Sequence, residues 1–124
     1  MLYAILCYND PKPFAAWPQA SQDAVMEKLE VVQQKLAREG RLGPAARLLP
    51  ATAAKTLRKD REPPLVIDGP FAETKEQLLG FYIVSCSSID EAVAIARDLG
   101  QATPAGSYEI RPIASFREGA VSSG

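Results

Sequence analysis

Residues 68–76 concentrate the side chains of this chain that can do chemistry. The segment reads Asp-Gly-Pro-Phe-Ala-Glu-Thr-Lys-Glu and lies between the apolar runs 65–67 and 78–84. A connecting loop needs turn formers, but it does not need an aromatic ring and several charged side chains as well. We call residues 68–76 the signature segment. We expect a pocket beside it that holds a small organic molecule or engages a partner.

Asp68 is the candidate catalytic residue, and two interpretations of it stay open. A carboxylate at the end of a strand, flanked by Ile67 and Phe71, can be partly desolvated, which suits it to proton transfer or to binding a ligand donor. Alternatively, its oxygens accept backbone N–H groups and hold the turn that Gly69 begins.

The rest of the signature segment supplies candidate ligand-binding residues. Phe71 is a candidate pocket wall, and Glu73 and Lys75 are candidates for a charged pocket rim together with Glu76. The alternative is that these charges are only solvated, as charged runs on loops usually are. Lys75 can also simply pair with an acidic side chain.

Three further candidate ligand-binding residues lie in later strands. Glu109 and Arg111 alternate with apolar residues and so share one strand face. They can meet a polar ligand between subunits, with the guanidinium binding an anion, or they can pair with each other or with a second subunit. Tyr82 is a candidate to contact the same ligand, although tyrosines in such strands more often belong to a core or an interface.

Composition excludes several classes of function. The chain has 124 residues, 47% of them hydrophobic and 23% charged, no histidine and a net charge of −1. The absence of histidine excludes a Ser-His-Asp triad, a Cys-His pair and a histidine zinc site within one chain. We expect no metal and no cofactor. The near-zero charge argues against direct nucleic-acid binding.

Hydropathy and the N-terminal sequence indicate a cytoplasmic protein. No apolar run approaches the roughly 20 residues that span a bilayer, so we expect no membrane association. Residues 1–4 lack the basic region of a signal peptide. We expect one domain over residues 1–114 and a polar tail over residues 115–124.

Hydrophobic periodicity predicts two helices. Apolar residues recur at helical spacing between Ser21, the predicted N-cap, and Glu39, with Gly40 as the stop. Ser88 and Glu91 have the spacing of a capping box and open a second helix that ends near Gly100. Its predicted apolar face comprises Ala92, Val93, Ala96 and Leu99.

Alternating or continuous apolar runs predict six strands. They are residues 2–8, 42–49, 52–59, 65–67, 79–86 and 108–113. With the helices, the order is a split βαβ pattern, which predicts an α+β, ferredoxin-like sandwich with an extra β-hairpin before the signature segment.

Two helices can cover only one face of such a sheet, and the central strands are apolar on both faces. An exposed apolar face of this size marks an interface, so we predict a homodimer that packs sheet to sheet. Cys7 and Cys86 lie near the C-terminal ends of antiparallel strands, too far apart for a disulfide, which needs Cα atoms within about 7 Å. We expect free, buried thiols.

The signature segment, continued by Gln77 and Leu78 and by Gly80-Phe81-Tyr82, resembles the DGPF branch of the YCII-related protein family. Weaker similarity is carried by the opening strand, by Trp17 and by residues 109–112. The resemblance implies a dimeric α/β barrel, in which two ferredoxin-like units pack through their sheets.

The resemblance also bears on activity. Some members of the wider group carry a His-Asp pair in a pocket, of which this chain can supply only the aspartate. Others are associated with extracytoplasmic-function sigma factors. We therefore expect a small-molecule-binding or regulatory homodimer. One alternative is a proton-transfer enzyme of the isomerase or lyase kind, in which Asp68 is the acid or base and Arg111 binds a small organic acid. The other alternative is an accessory protein to a sigma factor.

Overall fold

The structure is a computed structural model that describes residues 1–103 and 105–121. Its strands are β1 (Leu2–Asn9), β2 (Leu42–Arg47), β3 (Lys55–Arg58), β4 (Leu65–Asp68), β5 (Gln77–Ser85) and β6 (Ser107–Pro112). Its α-helices are α1 (Pro11–Ala15), α2 (Gln19–Arg38) and α3 (Ile89–Gly100), and a 3-10 turn covers Ala51–Ala53.

Four strands form an antiparallel sheet in the order β2-β5-β1-β6. The two central strands, β1 and β5, pair along most of their length, with Ile5 opposite Tyr82 and Leu2 opposite Ser85. β3 and β4 pair only with each other and form a separate two-stranded hairpin. The predicted α+β class with an antiparallel sheet is confirmed.

The core lies between α2, α3 and one face of the four-stranded sheet. β1 and β5 contribute alternate residues to it, as the period of a strand requires. The buried cluster comprises Tyr3, Ile5, Leu36, Tyr82, Val84, Cys86, Ala92, Ile95, Ala96 and Leu99. Tyr82, Val84 and Cys86 therefore face the helices, and Phe81 and Ile83 lie on the other face of the sheet.

The opposite face of the sheet is also apolar and is only partly covered. It carries Leu2, Ala4 and Leu6 of β1, which pair with Ser85, Ile83 and Phe81 of β5. We call these six residues the second sheet face. Ile83 is buried, Ser85 is exposed, and the other four side chains are half-buried. None of the six belongs to the buried cluster.

α2 starts two residues earlier than predicted, so Ser21 as its N-cap was wrong. Pro18 occupies the cap position without a side-chain hydrogen bond, and its fixed φ of −55° leads directly into the helix. The predicted stop at Gly40 is confirmed. Gly40 has a φ of +70°, and the N–H groups of Gly40 and Arg41 donate to the carbonyls of Ala37 and Leu36, which is a Schellman motif.

Residues 9–11 lead from β1 directly into the short helix α1. Asp10 is its N-cap and accepts the N–H of Lys12 at 3.0 Å. The rings of Phe14 and Trp17 then pack at 5.4 Å between centroids, before α2 begins.

The cap of α3 is as predicted, but its buried face differs. Ser88 Oγ accepts the N–H of Glu91 at 3.2 Å. Ile95 is buried at 2% exposure, whereas Val93, predicted on the apolar face, is 39% exposed. The sheet meets the helix along a line through Ala92, Ile95 and Leu99, and Val93 lies to one side of it.

Both cysteines are free, as predicted. Cys7 lies opposite Gly80, and the N–H of Cys86 donates to the carbonyl of Met1, so the thiols are at opposite ends of β1. Cys86 is buried, but Cys7 is only half-buried, which corrects the expectation of two buried thiols. Burial raises the pKa of Cys7 to about 11.

Candidate functional site

A cavity of about 480 Å³ lies beside the signature segment. Its size is within the range of small-molecule sites, about 300–1,000 Å³. It is lined by Ala51, Thr52, Gly69, Pro70, Glu73, Thr74 and Gln77. Four of these residues belong to the signature segment, and two belong to the 3-10 turn that precedes β3. We call it the loop cavity.

Hydrogen bonds at the root of the hairpin fix the walls of the loop cavity. The N–H of Gly69 donates to the carbonyl of Ala54 at 2.8 Å, and Thr56 Oγ1 donates to the carbonyl of Gly69 at 2.9 Å. Gln77 Oε1 accepts the N–H of Ala51 at 2.8 Å, which ties the 3-10 turn to the start of β5. Each of these bonds has a backbone group on at least one side, so the walls of the cavity are tied to the chain's backbone.

Gly69 is the residue that lets the chain turn from β4 into the cavity wall. Its φ is +101°, a backbone conformation that residues with a Cβ rarely adopt. The glycine of the signature segment is therefore required by the turn itself.

Asp68 lies at the end of β4, directly opposite Lys55 of β3. Its Oδ1 is 2.5 Å from Lys55 Nζ, and the aspartate side chain is 88% exposed. The partial desolvation expected for proton transfer is thus not present in the single chain. Among the described residues, no backbone N–H donates to this carboxylate, so the turn-holding interpretation does not describe it either. Asp68 stays a predicted site residue outside the cavity lining.

The other predicted residues of the signature segment lie in different surroundings. Glu73 is among the residues that line the loop cavity. Phe71 is 79% exposed and lies beneath the guanidinium of Arg58, 5.7 Å from its ring centroid, a cation–π contact. Lys75 is exposed and is not part of the lining.

Glu109 and Arg111 share one face of β6, as the alternation predicted. They pair with Leu6 and Ala4 of β1 and therefore lie on the same side as the second sheet face. Both are exposed, and no ion pair joins them to each other or to Asp68 in the described part of the chain. β6 is the edge strand on the opposite side of the sheet from β2.

Tyr82 is on the helix side of the sheet, away from Glu109 and Arg111. Its hydroxyl accepts a hydrogen bond from Gln33 Nε2 of α2 at 3.2 Å, and the ring is 8% exposed. Burial raises the pKa of Tyr82 to about 12, although the bond from Gln33 acts in the opposite direction. The structure therefore does not bring the predicted ligand-binding residues into one place.

A second cavity, of about 310 Å³, was not found from the sequence. It lies between α3 and the segment before β6 and is lined by Val93, Ala96, Arg97, Gly100, Thr103, Ala105, Gly106 and Tyr108. Burial raises the pKa of Tyr108. Apart from Arg97, the lining is small or apolar, so it has no spacing of polar residues that the sequence could reveal.

Over residues 1–103 and 105–121, no group of three or more cysteine or carboxylate side chains is positioned to bind a metal ion. Within the same ranges, no helix combines the length and the apolar character that crossing a membrane requires.

Comparisons with known proteins identify the family of the chain. The profile of the YCII-related domain matches residues 1–117. An uncharacterized protein of Rhizobium meliloti (strain 1021) is 54% identical, over 99% of this chain and 100% of its own length. A match over nearly the whole length, at this identity, extends to every strand and helix described above. The chain belongs to the YCII-related domain family.

Proposed function

We propose that this protein is a homodimer that binds a small polar molecule in the loop cavity. The observation that carries the proposal is the cavity itself, about 480 Å³ in volume and lined by four residues of the signature segment. Its two free cysteines fit the reducing cytoplasm as its compartment.

The lining favours a ligand that donates hydrogen bonds and carries no negative charge. Glu73 is the single ionisable residue among the described residues that line the cavity, and it supplies a carboxylate. Thr52 adds a hydroxyl group. Gln77 already uses Oε1 to accept the N–H of Ala51, so its amide NH₂ group is the part left to meet a ligand. A small amine fits this set better than a small organic acid.

Catalysis through Asp68 has less support. The proton-transfer hypothesis needs Asp68 and Arg111 on one substrate, but Asp68 is on the hairpin and Arg111 is on the far edge strand. Asp68 is also solvated and paired with Lys55. We therefore do not propose an enzyme.

The second sheet face supports the homodimer. Its half-buried Leu6 and Phe81 pair with each other near the centre of the sheet, where a partner sheet would cover them. The strand order β2-β5-β1-β6, with both crossover helices on one face, supports a ferredoxin-like arrangement. Two such units packed through the second sheet face would form a dimeric α/β barrel.

Thermal-shift measurements with matched amines and acids test the ligand class. The panel is ethanolamine against glycolate, and 1,4-diaminobutane against succinate, each at millimolar concentration. We expect an amine to raise the melting temperature of the wild type by about 2 °C or more, and the acids to leave it unchanged.

Glu73→Gln and Glu76→Gln form the matched pair for this test, since both change an exposed glutamate of the same segment and only Glu73 lines the cavity. The response to amines should disappear in Glu73→Gln and persist in Glu76→Gln. A wild type that responds to no compound of the panel, or two variants that respond alike, would refute the proposed site.

Sedimentation equilibrium tests the dimer. We expect the wild type to have twice the mass of one chain at micromolar concentration, and Leu6→Lys to be a folded monomer, because a charge would be buried at the centre of the interface. Val31→Lys is the control, since Val31 is 67% exposed on α2 and should leave the dimer intact. A monomeric wild type would refute the dimer.

A further inference from the structure

The β3–β4 hairpin exposes apolar side chains on both of its faces. Leu57 and Val66 lie directly opposite each other on one face and are 58% and 60% exposed. Leu65 and Ile67 lie on the other face, and both are 43% exposed. β4 has no buried residue at all.

Such a hairpin is not expected to be stable without a cover. A two-stranded sheet in water is marginal unless a further strand or a helix packs on it, because two strands bury too little apolar surface to offset their ordering. The bonds that fix this hairpin to the rest of the chain are at its root, where Gly69 bonds Ala54 and Gln77 bonds Ala51. Beyond the root, β3 and β4 pair only with each other.

The exposed apolar side chains form one small patch on each face of the hairpin, and exposed apolar patches mark interaction sites. They interrupt an otherwise charged segment, since Lys55, Arg58 and the residues 59–62 surround them. Isolated apolar residues on a surface need no explanation, but two neighbouring apolar side chains on each face of one hairpin do.

We propose that this hairpin is an arm that packs against a second copy of the chain. The inference rests on the homodimer proposed above and extends its interface beyond the second sheet face. In a two-fold dimer each arm contacts the partner and the partner's arm contacts the first chain, so one patch is used twice.

The area that a stable dimer needs favours a second copy as the occupant. A specific interface buries about 800 Å² on each partner. The second sheet face has little exposed apolar area left for a partner to cover. Ile83 is only 9% exposed, Leu6 and Phe81 are half-buried, and Ala4 is small. The arm adds four side chains that are each more than two-fifths exposed. The arm therefore supplies apolar surface that the second sheet face alone lacks.

Net charge also favours self-association. A chain with a net charge of −1 has almost no long-range repulsion against its own copy. The arm itself carries both signs, with Lys55 and Asp68 already paired next to Leu57 and Val66, so its apolar surface can be covered without stranding an unpaired charge.

The position of the arm connects it to the loop cavity. Ala51 and Thr52 precede the arm and Gly69 and Pro70 follow it, and all four line the cavity. A partner that holds the arm in place therefore also holds both walls of the cavity, and the site is complete only in the dimer.

The double variant Leu57→Thr/Val66→Thr tests the arm. Threonine is β-branched, which strands favour, so the hairpin can form while its exposed surface becomes polar. We expect the dissociation constant of the dimer, measured by sedimentation, to rise at least tenfold, as when the anchors of an interface are removed. Val31→Thr makes the same kind of change on α2 and should leave the dissociation constant unchanged.

Hydrogen exchange of the wild type gives a second measurement that needs no variant. Amides of residues 55–58 and 65–68 should exchange at least tenfold more slowly at protein concentrations where the dimer forms than at concentrations where it dissociates.

The outcomes separate the two proposals. The wild type can be a dimer whose dissociation constant is unchanged by the double variant and whose arm amides exchange at the same rate at all protein concentrations. In that case the proposed role of the arm is wrong and the sheet-packed dimer stands. An arm that binds a different protein instead of a second copy would give this same result, which overturns the proposal. If the wild type is a monomer at all concentrations, both proposals are overturned.

Discussion

Lys55 and Asp68 face each other across the β3–β4 ladder, with Lys55 Nζ 2.5 Å from Asp68 Oδ1. Their side chains are 70% and 88% exposed. In the single chain, Asp68 therefore forms an ion pair at the base of the hairpin, where β3 begins and β4 ends. Its neighbours in sequence, Gly69 and Pro70, turn away from the pair and line the loop cavity.

The variant Asp68→Asn should change stability little. An exposed ion pair contributes less than about 1 kcal/mol, because water solvates both charges and the two side chains lose freedom when they pair. We expect urea denaturation of the monomer, at sub-micromolar concentration, to show a loss no larger than this. Asp60→Asn, which removes the exposed partner of Arg58 and Arg61, is the control and should behave alike.

A loss above about 2 kcal/mol in Asp68→Asn alone would contradict this expectation. It would show that Asp68 and Lys55 form a stronger and less solvated ion pair than the exposure of their side chains indicates.

Gly80→Ala should destabilise the protein strongly. A Cβ built on Gly80 lies 2.4 Å from the carbonyl oxygen of Ala46 in β2, so the strand has to move or its ladder has to break. Overpacking of this kind costs about 1–3 kcal/mol. Gly100→Ala is the control, since its Cβ meets only the ring of Tyr108 at 3.5 Å, an ordinary contact. Equal unfolding midpoints in urea for the two variants would count against the close approach of β2 and β5.

Glu91 should make stability depend on acid pH. Its Oε2 accepts the hydroxyl of Ser87 at 2.5 Å and the N–H of Ser87 at 3.2 Å, and its Oε1 accepts Arg41 Nη2 at 2.5 Å. These hydrogen bonds from Ser87, and then the positive charge of Arg41, lower the pKa of Glu91 below its ordinary 4.5.

The sign of the effect follows from linkage. A carboxyl whose pKa is lower in the folded state stabilises the protein above the unfolded pKa, and this contribution is lost as the pH falls through the folded pKa. We expect Glu91→Gln to be less stable than the wild type at pH 7, and the difference in free energy of unfolding to shrink as the pH falls below about 4.5. A difference that does not change between pH 7 and pH 3 would be evidence against these contacts.

Local sequence signals predicted much of the fold. The N-cap at Ser88, the stop at Gly40 and the alternation along β5 each depend on neighbouring residues alone, and each is found in the structure. The prediction failed where packing decides. Val93 and Ile95 are both apolar residues of α3, and which of them is buried depends on how the helix lies against β1 and β6.

The candidate site was predicted less well for a similar reason. Glu73 and Gly69 border a cavity because the signature segment folds back onto the 3-10 turn. These two residues are close together in the sequence, so placing them beside one pocket needed no knowledge of the long-range fold. Tyr82 was grouped with Glu109 and Arg111, but the pairing register puts them on opposite faces of the sheet. Register is a long-range property, and a shift by one residue exchanges the faces.

Two buried groups should make the protein sensitive to alkali. Burial raises the pKa of Tyr82 from 10.0 to about 12 and that of the Cys7 thiol from 9.0 to about 11. In both cases the folded protein holds the proton more tightly than the unfolded chain. This contribution to stability is complete below the unfolded pKa and is lost as the pH rises through the folded pKa.

The free energy of unfolding should therefore fall between pH 9 and pH 12, and the two groups can be separated by substitution. Tyr82→Phe removes the hydroxyl group but leaves the ring in the core. Loss of the hydrogen bond from Gln33 should cost about 1 kcal/mol of stability at pH 7. The decline in stability between pH 10 and pH 12 should become flatter. Cys7→Ala should flatten the decline between pH 9 and pH 11. Urea titrations at one-unit pH intervals measure both effects. If Tyr82→Phe declines as steeply as the wild type above pH 10, the phenol is not held in its protonated form by burial beneath α2.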